Sequence, residues 1–219
     1  MIVSYSNNFV VVRPAKTGST SLVLYFLNSG LVELKEDLYT VEGDLAHLHS
    51  AGMENASGIF LPENPYHVKF STLVEKNLVQ EQTPCVSTIR NPLNRLSSAY
   101  YHIKTTNAGK PYQYANPNIF WDALKNKENG FGIGEISRPQ ADYFPEHAEL
   151  FNTENLHEHV SKYILERGGK VDGRIEMRKN PDNKLDVFLA ELTPDRKQDI
   201  LDTYAKDFEL WEKAYAVYN

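Results

Sequence analysis

The chain holds a single cysteine, Cys85, in 219 residues. An intrachain disulfide is therefore excluded, and a reducing compartment fits. No apolar run approaches the roughly 18 residues that a membrane span needs. Near Met1 there is no basic segment followed by an apolar one and a small-residue cleavage site, so no targeting peptide is expected. Internal repeats and low-complexity tracts are also missing. Positive charge is not in excess: the net charge is -6, which argues against a general nucleic-acid or polyanion binder. No metal-ligand set is complete. His-x-His occurs at His47/His49 and at His157/His159, and Cys85 falls in a predicted buried strand, so no metal is expected.

What is present fits one globular domain spanning residues 1–219, with charged residues at 24%. Phe9–Val12 and Cys85–Ile89 are short, β-rich and bounded by turn residues, as buried parallel strands are. Each precedes a helical pattern. Ser21–Asn28 ends at Gly30, and Leu93–Ile103 places Leu96, Ala99, Tyr100 and Ile103 on one face. Strand then helix, twice, predicts an α/β sheet with the site at the strand C-terminal ends. His67–Ser71 reads as a further strand. Residues 105–118 read as a long surface loop, Phe120–Leu124 as a short helix, and Gly130, Gly132 and Gly134 as a flexible turn. In the tail, Thr193 caps and Pro194 opens a helix whose Ile200, Tyr204, Phe208, Trp211 and Tyr215 pack on the core.

The chemistry concentrates in two places. After the first strand comes Arg13-Pro-Ala-Lys16-Thr17-Gly18-Ser19-Thr20-Ser21. Gly18 allows close backbone approach, the helix start offers N–H groups and a positive dipole end, Lys16 adds charge, and four hydroxyls add donors. An ordinary N-cap needs only one such hydroxyl. Lys16 precedes Gly18, the reverse of the Walker A order, which argues against an ordinary ATPase or GTPase. After the second strand comes Arg90-Asn-Pro-Leu-Asn-Arg95-Leu-Ser-Ser98, in which Arg90 at a strand end can fork onto a phosphate with Ser98 two turns on. Two anion sites thus flank one sheet. Arg95 reads equally as lining that site or as a structural ion pair, and Arg13 as an acceptor or sulfate contact.

These motifs resemble those of sulfotransferases that use 3′-phosphoadenosine 5′-phosphosulfate (PAPS). Lys16 to Ser21 resembles the 5′-phosphosulfate loop, and Arg90-Asn-Pro-x-x-Arg-x-x-Ser98 the 3′-phosphate motif, in the same order. The similarity is greatest to carbohydrate sulfotransferases of the heparan sulfate 2-O type. There, a Pro-Lys-Thr loop is followed by a His-Val segment shortly before the Arg motif. His67-Val68 stands in that place, whereas Pro14-Ala15-Lys16-Thr17 carries one inserted residue. Met177-Arg178-Lys179-Asn180 to Leu185 resembles the late basic loop that covers the nucleotide. It lies in residues 162–184, which hold seven Lys or Arg against four Asp or Glu. Arg138-Pro139-Gln140 resembles a segment near the acceptor groove.

The resemblance implies a three-layer α/β fold of P-loop-like sulfotransferase architecture around a central parallel sheet. It implies transfer of a sulfuryl group from PAPS to a hydroxyl, most readily of a saccharide, releasing adenosine 3′,5′-bisphosphate, with no metal. Lys16 would stabilise the leaving oxygen; Thr17, Gly18, Ser19, Thr20 and Ser21 would hold the 5′-phosphate; Arg90 and Ser98 the 3′-phosphate; Arg178 and Lys179 would cover the nucleotide. Histidine titrates near neutrality, with an ordinary pKa of about 6.5, which suits a base. His67 is the expected one, His47 and His49 its rivals, and His102 reads as packed or exposed. Metazoan relatives carry an anchor and stem, absent from this sequence, so a soluble cytoplasmic enzyme of microbial or viral origin, without a membrane partner, is expected. The acidic balance weakens transfer of a glycosaminoglycan substrate. Two other readings remain open, a P-loop nucleotide or small-molecule kinase and a non-catalytic nucleotide-binding module.

Overall fold

In the computed structural model, residues 1–32, 38–39, 67–106, 114–126, 133–171 and 184–217 are described. Five strands form one sheet in the order β3-β1-β2-β4-β5: β1 (Ile2–Ser4), β2 (Phe9–Val12), β3 (Leu38–Tyr39), β4 (Cys85–Ile89) and β5 (Glu149–Asn152). β2, β4 and β5 run parallel, with Val10 opposite Cys85 and Ile89 opposite Asn152. The expected parallel centre is there. The sheet also has an antiparallel flank, since β1 turns back on β2 and β3 pairs β1. β1 and β3, of three and two residues, are too short for their alternation to be read in advance.

Alternation along the strands makes the layers. Ile2, Phe9, Val11, Val86 and Phe151 point to one face, where they pack with α1 (Ser19–Asn28) and α6 (Leu156–Glu166). Met1, Val3, Val10, Val12 and Cys85 point to the other, against Val68, Phe70, Leu73 and Tyr143. A second apolar cluster joins α3 (Pro92–Thr106), α4 (Pro117–Lys125), α5 (Ile133–Ser137), α7 (Lys184–Glu191) and α8 (Pro194–Thr203) around Tyr100, Phe120, Trp121 and Phe188. α9 (Ala205–Ala216) packs on β4 and β5. Layers of helix on a mostly parallel sheet are the α/β architecture expected.

Several local expectations need correction. His67–Ser71 is not a strand: Val68 and Lys69 lead into α2 (Phe70–Glu75), which buries Phe70 and Leu73 at helical spacing. The segment makes a single backbone bond to its neighbour, Phe70 N–H to the Tyr143 carbonyl, and no ladder. Gly134 lies within α5, while Gly130 and Gly132 fall outside the described residues. Of the 105–118 loop, Thr105 and Thr106 close α3 and Asn116 caps α4 by accepting from Asn118 and Ile119, with 107–113 outside the described residues. The tail is two helices rather than one. The helix breaks at Tyr204 (φ -111°, ψ 23°), whose buried hydroxyl donates toward the Ile136 and Ser137 carbonyls. The aromatic stripe then climbs out of the core, and Tyr215 is 44% exposed. Gly30 ends α1 in the left-handed region (φ 76°), as its position led one to expect.

Candidate functional site

The β2–α1 loop departs from ordinary backbone at two residues, Lys16 (φ 62°) and Gly18 (φ 73°). A lysine in the left-handed region is costly, by about 1–2 kcal/mol, and persists only where its surroundings impose it. Here they do, because side chains capture each carbonyl from Arg13 to Thr17. The Arg13 carbonyl accepts from His67 Nδ1 at 2.8 Å. The Pro14 carbonyl accepts from the hydroxyls of Thr17 and Ser19 at 2.9 and 3.1 Å. Ala15 accepts from Arg95 Nε at 2.9 Å, Lys16 from Arg90 Nη1 at 3.3 Å, and Thr17 from Thr153 Oγ1 at 2.9 Å.

With the carbonyls so engaged, the donors of the turn remain. Gly18 is the N-cap residue of α1, no side chain caps the helix, and the first-turn N–H groups have no intrahelical acceptor. Alternating left-handed residues ahead of an uncapped helix start make a backbone nest suited to an anion. The hydroxyl count is less informative than the sequence suggested. Thr17 and Ser19 are buried and spend their protons on Pro14, and Thr88 Oγ1, 2.7 Å from Thr17, completes the pair. Their side chains shape the loop. Thr20 is exposed and accepts from Arg13 Nη2 at 2.9 Å, and Ser21 is half-buried. Arg13, which is fully buried, thus braces the strand end to the first turn of α1.

Gly18 allows a direct test. A Cβ there would sit 3.1 Å from Thr153 Cγ2, at a backbone angle that side chains disfavour. Thr153 cannot swing aside without losing its contacts to the Thr17 and Ile89 carbonyls. Gly18→Ala is expected to cost about 1–2 kcal/mol and to lower Tm by about 2–8 °C. An unchanged melting curve would show that the loop has other room.

Across the sheet, Arg90 follows β4 and reaches back to the Lys16 carbonyl, so the two predicted anion sites meet. Among the described residues Arg90 forms no ion pair. Burial pulls its guanidinium below the ordinary value, and the Glu154 carboxylate works against that shift. A largely desolvated guanidinium that forms no ion pair favours an incoming anion. Ser98 is half-buried on α3. Its neighbour Ser97 donates to the carbonyl of Lys184, the first residue of α7, at 3.3 Å. Arg178 and Lys179 themselves lie outside the described residues, as do His47 and His49.

Among the described residues Arg95 forms no ion pair. It is buried, and its guanidinium donates to the carbonyls of Ala15, Arg138 and Glu135 at 2.9–3.0 Å, tying the loop to the 135–138 segment. Arg138 lies over the Tyr143 ring, with its guanidinium carbon 5.5 Å from the centroid. Sequence reasoning missed Thr153, Thr88 and Asp207. Asp207 is buried and holds Gln140, which in turn holds the main chain of Arg90. Gln140 had been flagged only beside Arg138, and the other three carry no local signal.

His67 is half-buried at the loop's other end. A carbonyl can only accept, so Nδ1 carries the proton in the bond to Arg13 and Nε2 bears the lone pair of the neutral ring. That tautomer suits a base. Of the other histidines, His102 is exposed on α3, and the exposed His157 pairs through Nδ1 with the Tyr25 hydroxyl at 2.6 Å. Burial keeps His159 below its ordinary value, and burial raises the Cys85 thiol well above its own. Among the described residues no three His, Cys, Asp or Glu side chains gather as a metal site, and no helix is long and apolar enough to cross a membrane.

No family model matches the chain, and no curated protein matches it. Among solved structures, mouse sulfotransferase SULT7A1 complexed with PAP is similar, at 11% identity over 93% of this chain and 86% of that one, with a TM-score of 0.49. A sulfotransferase from Alicyclobacillus acidocaldarius is 14% identical over 94% of each chain, with a TM-score of 0.45.

Proposed function

We propose that this chain is a sulfotransferase that moves a sulfuryl group from PAPS to an acceptor hydroxyl, most readily of a saccharide, and releases adenosine 3′,5′-bisphosphate. The observation that carries the reading is the junction of Arg90 with the Lys16 loop. A backbone nest and a largely desolvated arginine that forms no ion pair among the described residues stand side by side, which suits a ligand bearing two separate anionic groups.

The residues present fit such a co-substrate. The N–H groups of Gly18, Ser19, Thr20 and Ser21 and the Lys16 ammonium would hold its 5′ end, and Arg90 with Ser98 its 3′-phosphate. Arg178 and Lys179 would cover the nucleotide. PAPS supplies an activated sulfuryl group on a phosphate leaving group. In the transfer, the bond from sulfur to the phosphate oxygen breaks and a bond from sulfur to the acceptor oxygen forms. His67 takes the acceptor's proton on Nε2, and Lys16 stabilises the charge that builds on the departing oxygen. As in phosphoryl transfer, positioning and charge stabilisation carry the catalysis. No step needs a metal.

A comparison of two nucleotides separates this function from a kinase. Calorimetric titration is expected to show adenosine 3′,5′-bisphosphate binding at least about tenfold more tightly than ATP with magnesium, a difference of about 1.4 kcal/mol. Tighter binding of magnesium-ATP would contradict the proposal.

A further inference from the structure

Arg90 stands where the chain has just left the sheet. β4 ends at Ile89, paired with Asn152, and α3 begins at Pro92. The Arg90 peptide groups therefore lie beyond the ladder and need partners of their own. They find them in one side chain. Arg90 N–H donates to Gln140 Oε1 at 3.0 Å, and Gln140 Nε2 donates to the Arg90 carbonyl at 2.9 Å. This primary amide reproduces the pair of bonds that a neighbouring strand would make, at a point where the sheet has no strand to offer.

Gln140 is fully buried, and its own position is fixed from α9. Asp207, also fully buried, accepts from the backbone N–H groups of Gln140 at 2.7 Å and Ala141 at 2.8 Å. Its Oδ2 also lies 3.3 Å from Gln140 Nε2. That last contact sets which end of the amide is nitrogen, so the amide cannot flip without facing a carbonyl with its oxygen. Burial raises the Asp207 pKa, and the three N–H donors around the carboxyl favour its charged form against that shift.

We propose that Asp207 is a positioning residue for nucleotide recognition: acting through Gln140, it fixes the main chain at Arg90 and thereby aims the guanidinium at the 3′-phosphate. This rests on the assignment of Arg90 to that phosphate. Asp207 and Gln140 are fully buried, and they reach the 5′-phosphate nest only through Arg90, one of six side chains that hold its carbonyls. Their loss therefore acts more strongly on the 3′-phosphate than on the 5′-phosphate.

The test uses the full chain and two ligands, adenosine 3′,5′-bisphosphate and adenosine 5′-monophosphate, titrated by calorimetry into the wild type, Asp207→Asn and Gln140→Met. The wild type prefers the bisphosphate. Both variants are expected to lose about tenfold of that preference, while affinity for the monophosphate stays within about twofold. If Asp207→Asn fails to fold, Gln140→Met decides alone by the same criterion. An intact preference, or an equal weakening of both ligands, overturns the positioning role while leaving the nucleotide assignment in place. Absence of the preference in the wild type overturns the nucleotide assignment and the proposal together.

Discussion

Lys16→Ala is expected to lower the sulfuryl-transfer rate by about 10²–10³-fold, the scale seen when one group that stabilises transition-state charge is removed. Adenosine 3′,5′-bisphosphate should still bind, weakened by no more than about tenfold, because the nest is made of main-chain N–H groups and the Arg90 contact is to the Lys16 carbonyl. The loop should survive for the same reason. Its carbonyls are held by the side chains of His67, Thr17, Ser19, Arg95, Arg90 and Thr153. Single-turnover rates with PAPS and a productive acceptor check this. A rate within about threefold of wild type would remove Lys16 from the chemistry.

His67→Ala is expected to cost about 10²–10⁴-fold in kcat with nucleotide affinity unchanged, the range for loss of a general base. Because His67 also holds the Arg13 carbonyl, alanine alone would mix two losses. His67→Asn separates them. The asparagine amide keeps an N–H donor for the carbonyl and offers no titratable nitrogen, so it should restore stability but not rate. Full activity in His67→Asn would move the base to another group, with His47 and His49 the next to test.

Strands β2 and β4 were legible as short β-rich runs bounded by turn residues, and helices α1 and α3 as the helical patterns that follow them. β1 and β3 were not, since two or three residues cannot display alternation. β5, Glu-Leu-Phe-Asn, reads as neither apolar run nor alternation because its first residue is exposed and its last is a buried polar one. Within the site, residue type pointed to the right segments but not to directions. Four hydroxyls looked like four ligand donors, yet two of them turn inward to shape the turn. Arg95 reads equally as lining the site or as a structural ion pair, and it is a clamp on three carbonyls. Asp207 could not be picked out: it sits among Lys206, Glu209 and Glu212, where an acidic residue reads as part of a solvated helix face. Only the fold, which brings α9 over residues 140–141, gives it a task.

The most direct test is transfer from sulfur-radiolabelled PAPS across panels of sugars, phenols, lipids and peptides, with product separated from unreacted donor. The account predicts labelled product on at least one hydroxyl acceptor, saccharides first, with release of adenosine 3′,5′-bisphosphate in equal amount and loss of both in Lys16→Ala. Tight binding of the bisphosphate with no labelled product from any acceptor would contradict it and leave a nucleotide-binding module in place of an enzyme.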